Sequence, residues 1–405
     1  MKSVSLHLKA AGSAAPAPPT PQGPIALVYG FRAFFLPALL WSVVAMGLWL
    51  GLFSGELVWS GALSPSAWHG HEMLFGALAG LASGFLLTAV ANWTGQPPFR
   101  GWPLALLLFG WLAGRFMVGF AALFPPWLVA VVDGSYLFVF AVILFWPMAR
   151  TRLWIHAVFP PLFVLWGLGN LLFHLDGLGL LHGGATLGLR LGVDALLWII
   201  VILAGRMFVN FTKSALPPAE QAGFRPPPVV EMAAHLAMAG VILADLLAPD
   251  SRLSGAVLLG VGGVHLVRLM GWRSVRVAHV PMVWVLHLGY LWLALGYLLR
   301  GAALLWAVLP ETTAWHAHTV GALGLIAAGI VPRVSMAHTG RPVAMQRLLW
   351  PVFLLLAGAV LVRLAGASYA VGILGSGVLW MAAFSLEAFL LWPMLTRPRI
   401  DGRPG

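Results

Sequence analysis

The sequence has no cysteine and very few charged residues. Only 9% of the 405 residues are Asp, Glu, Lys or Arg, whereas soluble domains carry about a quarter. The lack of cysteine excludes disulfides, zinc ribbons, thiolate haem ligands and cysteine-held iron–sulfur clusters. Any bound metal must therefore have His, Met, carboxylate or backbone ligands. Hydrophobic residues make up 60% of the chain, which indicates an integral membrane protein whose main surroundings are a lipid bilayer.

Long apolar runs divide the chain into candidate membrane spans. A span needs about 17–25 predominantly apolar residues. Twelve such runs occur, of which the first covers residues 34–53 and the last covers residues 369–393. We therefore expect an all-α polytopic fold with a membrane domain at residues 25–400. Residues 1–24 are rich in Ala and Pro and lack the apolar run of a signal peptide, so we expect a disordered cytoplasmic tail.

The charges of the loops predict the orientation of these spans. Basic residues such as Arg100, Arg150 and Arg273 lie in alternate loops, whereas the other loops carry acids such as Glu56 and Asp176. Because basic loops stay in the cytoplasm, both termini are expected there. The net charge of +11 is then explained by the basic cytoplasmic loops, and it does not indicate a nucleic-acid partner.

Similar segments recur along the chain and predict three pseudo-repeats of four helices. Thr94, Thr212 and Thr339 close comparable helix ends that are 118 and 127 residues apart. The predicted units are residues 25–150, 151–276 and 277–397. In the middle unit, Arg190 and Asp194 are one helical turn apart, and we expect them to form an ion pair.

Two His-x-His pairs are the main candidate ligands for a cofactor. Trp68-His69-Gly70-His71-Glu72 and Trp315-His316-Ala317-His318 each open a long apolar run, at the periplasmic end in the expected topology. Residues i and i+2 of a helix point about 200° apart, so one pair cannot hold a single ion if the helix is regular. Each pair could serve two centres, or one histidine could bind while the other faces the membrane boundary. The plain alternative is a set of interfacial histidines with no ligand.

Further histidines lie within or at the ends of the predicted helices, namely His174, His235, His265 and His287. Ionisable groups inside a membrane usually face the bundle interior or a cavity. His265 and Arg268 are three residues apart and share a helix face, so Arg268 could pair with an anionic group such as a haem propionate. For any one of these histidines, a buried hydrogen bond to a carbonyl is the ordinary alternative.

Several motifs resemble the NnrS family across the chain after residue 24. They are Gly30-Phe31-Arg32-Ala33-Phe34-Phe35-Leu36, Trp68 to Gly76, Gly84 to Val90 with Asn92-Trp93-Thr94-Gly95, and Trp315 to Arg341. The resemblance implies a twelve-helix bacterial inner-membrane protein that binds haem and copper. It also implies a role in nitric oxide metabolism and tolerance of nitrosative stress, often beside denitrification. Ala33 stands where the family motif would have Pro, which affects the entry of the helix more than the chemistry.

A looser architectural likeness is to the catalytic subunit of haem–copper oxidases and nitric oxide reductases. That subunit also has twelve helices in three arcs and a His-x-His on its tenth helix, as at His316 and His318 here. This sequence lacks the adjacent His-His on helix seven and the copper-ligating His on helix six, where Arg206 and Asn210 stand. A copy of the oxidase copper site is therefore not expected, and fold analogy does not establish an activity.

These observations favour a haem- and copper-binding membrane protein of the nitric oxide response. The expected metal ligands are His69, His71, His316 and His318. His265, His287 and Arg268 are further cofactor-binding candidates. We expect these imidazoles to converge at one depth from the first and last repeats. Whether nitric oxide is turned over, sensed or only bound stays open.

Two alternatives belong to other functional classes. The first is a secondary transporter or channel whose His and Arg side chains line a proton or anion path. Transporter helices are often broken near the midplane, and Pro37 and Pro332 would suit such breaks. The second is a structural or assembly protein that binds no cofactor.

Overall fold

The computed structural model describes residues 23–59, 64–342, 347–367 and 369–402. Twelve helices in these ranges are long and apolar enough to cross a bilayer, which confirms the predicted count. No strand occurs among the described residues. The tail predicted at residues 1–24 lies outside them except for Gly23 and Pro24. The chain is therefore an all-helical, multi-pass membrane protein.

The twelve helices are labelled α1 to α12 in chain order. They are Gly30–Ser54, Pro65–Thr94, Trp102–Gly119, Pro126–Thr151, Trp154–Gly177, Gly184–Ala215, Pro228–Leu247, Arg252–Met270, Pro281–Trp306, Glu311–His338, Arg347–Ala365 and Ala370–Thr396.

Proline begins many of these helices because its missing N–H costs nothing in the first turn. In α2, Pro65 is the first helical residue, and the Ser64 hydroxyl accepts a hydrogen bond from the Ala67 N–H at 3.2 Å. Gly95 ends the same helix in the left-handed conformation. The sequence therefore sets both ends of the helix that carries the first His-x-His pair.

Helices α2, α6 and α10 form the centre of the bundle. They are 83%, 78% and 83% buried over their most apolar stretches, and the other helices reach at most 61%. The three central helices touch one another, and the first and last helices, α1 and α12, pack together outside them. Side chains on the central helices are thus shielded from lipid on most sides.

Each central helix contains a wide turn of π type. These segments are Glu72–Leu78 in α2, Ala204–Phe208 in α6 and Ala317–Gly324 in α10. The first follows His71 directly, and the last follows His316 directly. Such turns change the direction of the following side chains and are frequent at functional sites. They recur in every fourth helix, while the three-unit repeat itself stays a prediction from sequence spacing.

Helices α5 and α6 approach each other through paired glycines. A Cβ added at Gly188 would lie 2.2 Å from the carbonyl oxygen of Gly169, and one added at Gly169 would lie 2.6 Å from that of Gly188. Small residues allow this backbone contact between membrane helices. The contact matters for the site below, because α5 carries two of its side chains.

We expect Gly188→Ala to destabilise the protein, since the added methyl group meets backbone that no side-chain rotation can move. Overpacking of this kind costs about 1–3 kcal/mol. Gly110→Ala is the matched control, because its Cβ would meet no atom within 4 Å and alanine favours the helix. Thermal unfolding in detergent measures both; equal melting temperatures for the two variants would contradict the close contact.

Candidate metal centre

His71 lies fully buried in α2, in the regular turn just before the π segment, between two carboxylates. Its Nδ1 is 2.9 Å from Glu72 Oε1, and its Nε2 is 3.0 Å from Asp133 Oδ2 on α4. A neutral imidazole has one N–H to donate. Both ring nitrogens can therefore be satisfied only if an additional proton or another cation is present.

Helix α5 brings two more polar side chains to the same carboxylate. His174 Nε2 lies 2.8 Å from Asp133 Oδ2, and the Asn170 amide donates to that oxygen at 2.9 Å. Asn170 Oδ1 is also 2.9 Å from His71 Nε2. Asn170 and His174 are four residues apart, so they share one face of α5. Asp133 Oδ2 thus has three nitrogen neighbours.

Arg115 of α3 joins the two acids. Its guanidinium donates to Glu72 Oε1 at 2.7 Å and makes a close ion pair with Asp133. Glu72 Oε2 accepts a further hydrogen bond from the Trp41 indole N–H at 2.8 Å. These bonds hold both carboxylates in place before any ligand binds.

We call the group of six side chains the His71 cluster: His71, Glu72, Arg115, Asp133, Asn170 and His174. With neutral imidazoles, its two carboxylates and one guanidinium have a net charge of −1. An uncompensated charge inside a membrane is strongly unfavourable. The His71 cluster therefore favours one additional positive charge, which a proton or a metal ion can supply.

The donor atoms also suit a metal ion. Ligand atoms of His71, Asp133 and His174 all lie within 4.8 Å of one another, and all three residues are buried. With metal–ligand bonds of about 2.0–2.2 Å, tetrahedral ligand atoms lie roughly 3.4 Å apart. The Nε2 atoms of His71 and His174 lie 3.0 and 2.8 Å from Asp133 Oδ2. Two imidazoles and a carboxylate suit copper, iron or zinc. The residues present therefore fit a metal, with Asn170 positioned to orient His71.

The other members of the His-x-His pairs lie elsewhere. His69 stacks on Trp49 of α1, with ring centroids 4.7 Å apart. His316 Nδ1 donates to the Thr312 carbonyl oxygen at 2.6 Å. His69 and His316 are close enough for their charges to interact, whereas His71 and His318 face different neighbours. The four predicted metal ligands are therefore spread over three places, because residues i and i+2 of a helix face opposite sides.

His318 and His265 form a second group of buried imidazoles around Tyr297. His318 Nε2 donates to the Leu293 carbonyl oxygen at 3.1 Å, which leaves Nδ1 without a hydrogen-bond partner. A Cβ on Gly296 would overlap the His318 ring, so glycine is needed there. His265 Nδ1 lies 2.7 Å from the Tyr290 hydroxyl, and its Nε2 has no partner. Each histidine thus has one fixed and one free nitrogen, as metal-binding histidines do.

Arg268 and His287 already have protein partners. The Arg268 guanidinium binds Glu231 at 2.9 Å and the Tyr290 hydroxyl at 2.7 Å. His287 has a hydroxyl at each ring nitrogen, from Thr212 and Ser274. His287 therefore has no free ligand atom, and the charge of Arg268 is balanced by Glu231.

The predicted ion pair between Arg190 and Asp194 is wrong. Arg190 instead binds Asp250 at 2.6 Å and Glu311 at 3.1 Å, while Asp194 accepts from Arg300 at 3.2 Å. Both residues lie on α6, which is surrounded by other helices, so each side chain reaches a neighbouring helix. Spacing along one helix does not reveal such partners.

Sequence reasoning did not select Asp133, Asn170 or His174 as site residues. Two signals were present, because Asp133 is an isolated acid in an apolar run and Asn170 and His174 are one turn apart. Neither signal shows that α4 and α5 face α2. That relation depends on tertiary packing.

We expect Arg115→Met to lower stability strongly, because it leaves Glu72 and Asp133 buried without a guanidinium. Removing one partner of a buried ion pair costs about 3–5 kcal/mol. Arg273→Met is the matched control, since Arg273 pairs with Glu220 at a partly exposed site and such pairs are worth about 0–1 kcal/mol. Equilibrium unfolding in mixed micelles measures the free energy of unfolding of both variants. Equal decreases in the two variants would contradict the charge pairing described for the His71 cluster.

Comparison with known families agrees with this architecture. A family model described as NnrS protein matches residues 26–399, a range that includes all twelve helices and the His71 cluster. No protein with a curated description matches the chain. The match extends over nearly the whole chain, and the protein therefore belongs to the NnrS family.

Proposed function

We propose that this protein binds copper and haem in the bacterial inner membrane and serves the nitric oxide response and tolerance of nitrosative stress. The observation that carries the proposal is the buried His71 cluster, whose donor atoms fit a metal and whose charge favours a cation. Membership of the NnrS family supports the link to nitric oxide. The alternating loop charges support an orientation with both termini in the cytoplasm.

In this proposal, the copper ligands are His71 Nε2, His174 Nε2 and a carboxylate oxygen of Asp133. Glu72 fixes the other ring nitrogen of His71, which orients the imidazole. Arg115 pairs with both acids and holds them in place. These side chains would hold a copper ion, which could supply redox chemistry toward a small molecule.

The residues that would hold haem in this proposal are His318 and His265. Each has a buried ring nitrogen without a hydrogen-bond partner, and imidazole is a common axial ligand of haem iron. Leu293 O fixes the tautomer of His318, and the Tyr290 hydroxyl orients His265. Their neighbours lie on α8 and α9, apart from those of the His71 cluster. The two cofactors would therefore respond to different substitutions.

Metal analysis and an optical spectrum of the protein purified in dodecyl maltoside test this assignment. We expect stoichiometric copper and a Soret band in the wild type. His174→Ala and Asp133→Asn should lose the copper and keep the Soret band, since they remove only ligands of the His71 cluster. His318→Ala should weaken the Soret band and keep the copper.

His182→Ala is the control, because His182 is exposed in the loop after α5 and its loss should change neither signal. Unchanged copper in His174→Ala would contradict the His71 cluster as the metal site. Colourless, metal-free wild-type protein that is competent in a flux assay would favour the transporter or channel.

A further inference from the structure

Three basic side chains lie near one end of the bundle, outside the His71 cluster. His69 is four residues from the start of α2, His316 is five residues from the start of α10, and Arg363 is two residues from the end of α11. Because α11 runs opposite to α2 and α10, these helix ends are at the same membrane face. We call the three residues the Arg363 cluster.

Two polar atoms of the Arg363 cluster are buried and have no hydrogen-bond partner. Arg363 is 8% exposed, and its Nη1 has no hydrogen-bond partner. His69 Nδ1 is also buried and without a partner, while Trp49 holds the ring by stacking at 4.7 Å. His69 lies within electrostatic range of both His316 and Arg363. The unsatisfied donors therefore lie in one region.

No carboxylate balances Arg363. All twelve Asp and Glu side chains are among the residues that the structure describes. Nine form salt bridges with other arginines, namely Glu72, Asp133, Asp194, Glu220, Glu231, Asp245, Asp250, Glu311 and Asp401. Of the other three, Asp176 accepts from the Ala185 N–H, Glu387 is buried in α12 without a partner, and Glu56 is exposed.

A guanidinium at a membrane boundary ordinarily extends into water. Arg363 does so only in part, since the residue is 8% exposed and its Nη1 is buried without a partner. Leaving such a charge unpaired is costly. An anion from outside the chain would supply the missing partner.

We propose that Arg363 and His69 bind an anionic ligand with a carboxylate or oxoanion group. The planar guanidinium of arginine can donate two parallel hydrogen bonds to two oxygens of such a group. The His69 Nδ1–H can donate a further hydrogen bond to one of the ligand oxygens. His316 borders the site and is oriented by the Thr312 carbonyl oxygen. The ligand could be a small anion from solution or the phosphate of a lipid, because both present the same oxygens.

Thermal unfolding of the holoprotein in dodecyl maltoside tests the site, with formate and nitrate as probes and chloride as the control for ionic strength. A ligand that binds the folded state raises Tm, here by an expected 2–5 °C, on the order of the shift for a saturated site. Arg363→Ala should abolish the rise. Arg363→Lys, which keeps the charge and removes the fork, and His69→Phe, which keeps the stacking on Trp49, should reduce it.

Arg252→Ala is the matched control, because Arg252 is exposed at the start of α8 and lies at the same face. The rise should persist in this variant, and copper content should stay at the wild-type level in all variants. Copper content thus separates failure of this site from failure of the metal assignment.

Native mass spectrometry of the same preparations distinguishes the two sources of the anion. A formate-dependent rise identifies a small anion from solution. A retained phospholipid that Arg363→Ala loses and Arg252→Ala keeps identifies a lipid phosphate. If neither the Tm response nor the retained lipid differs between wild type and Arg363→Ala, the anion site is refuted.

Discussion

Charge balance inside the membrane is the constraint on which the structure depends. Nearly all buried arginines and acids pair across helices, as Arg300 does with Asp194 and Asp245. Breaking such a pair leaves a charge in a medium that solvates it poorly. The balance is not one to one everywhere. The His71 cluster and the group of Arg300, Asp194 and Asp245 each have two carboxylates for one guanidinium, and Glu387 and Arg363 each have buried polar atoms without a partner. Among these places, the donor atoms of the His71 cluster suit a cation and the free donors of the Arg363 cluster suit an anion.

The geometry of the central helices decides where these charges meet. His71 is the last residue of a regular turn in α2, and the π segment that begins at Glu72 turns the following residues. Glu72 can then reach the His71 ring and Arg115 together. The close glycine contact between α5 and α6 fixes the helix that carries Asn170 and His174. Backbone irregularity and small residues thus position side chains that are distant in sequence.

Most of the fold could be predicted from the sequence, whereas only part of the site could. The number of spans follows from local hydropathy, since each helix must be apolar over the thickness of the bilayer. The importance of His71 followed from its position on an apolar helix. Asp133 and His174 could not be assigned to it, because their meeting depends on which faces of α4 and α5 turn inward. The predicted ion pair between Arg190 and Asp194 was wrong for the same reason.

X-ray absorption at the edge of the bound metal tests the central claim most directly, because it reports the ligands themselves. The account predicts a first shell of nitrogen and oxygen at about 2.0–2.2 Å, with the outer-shell scattering of two imidazoles. In His174→Ala the imidazole scattering should fall by half or the metal should be lost. A spectrum unchanged by His174→Ala, or one with no imidazole scattering in the wild type, would contradict the account.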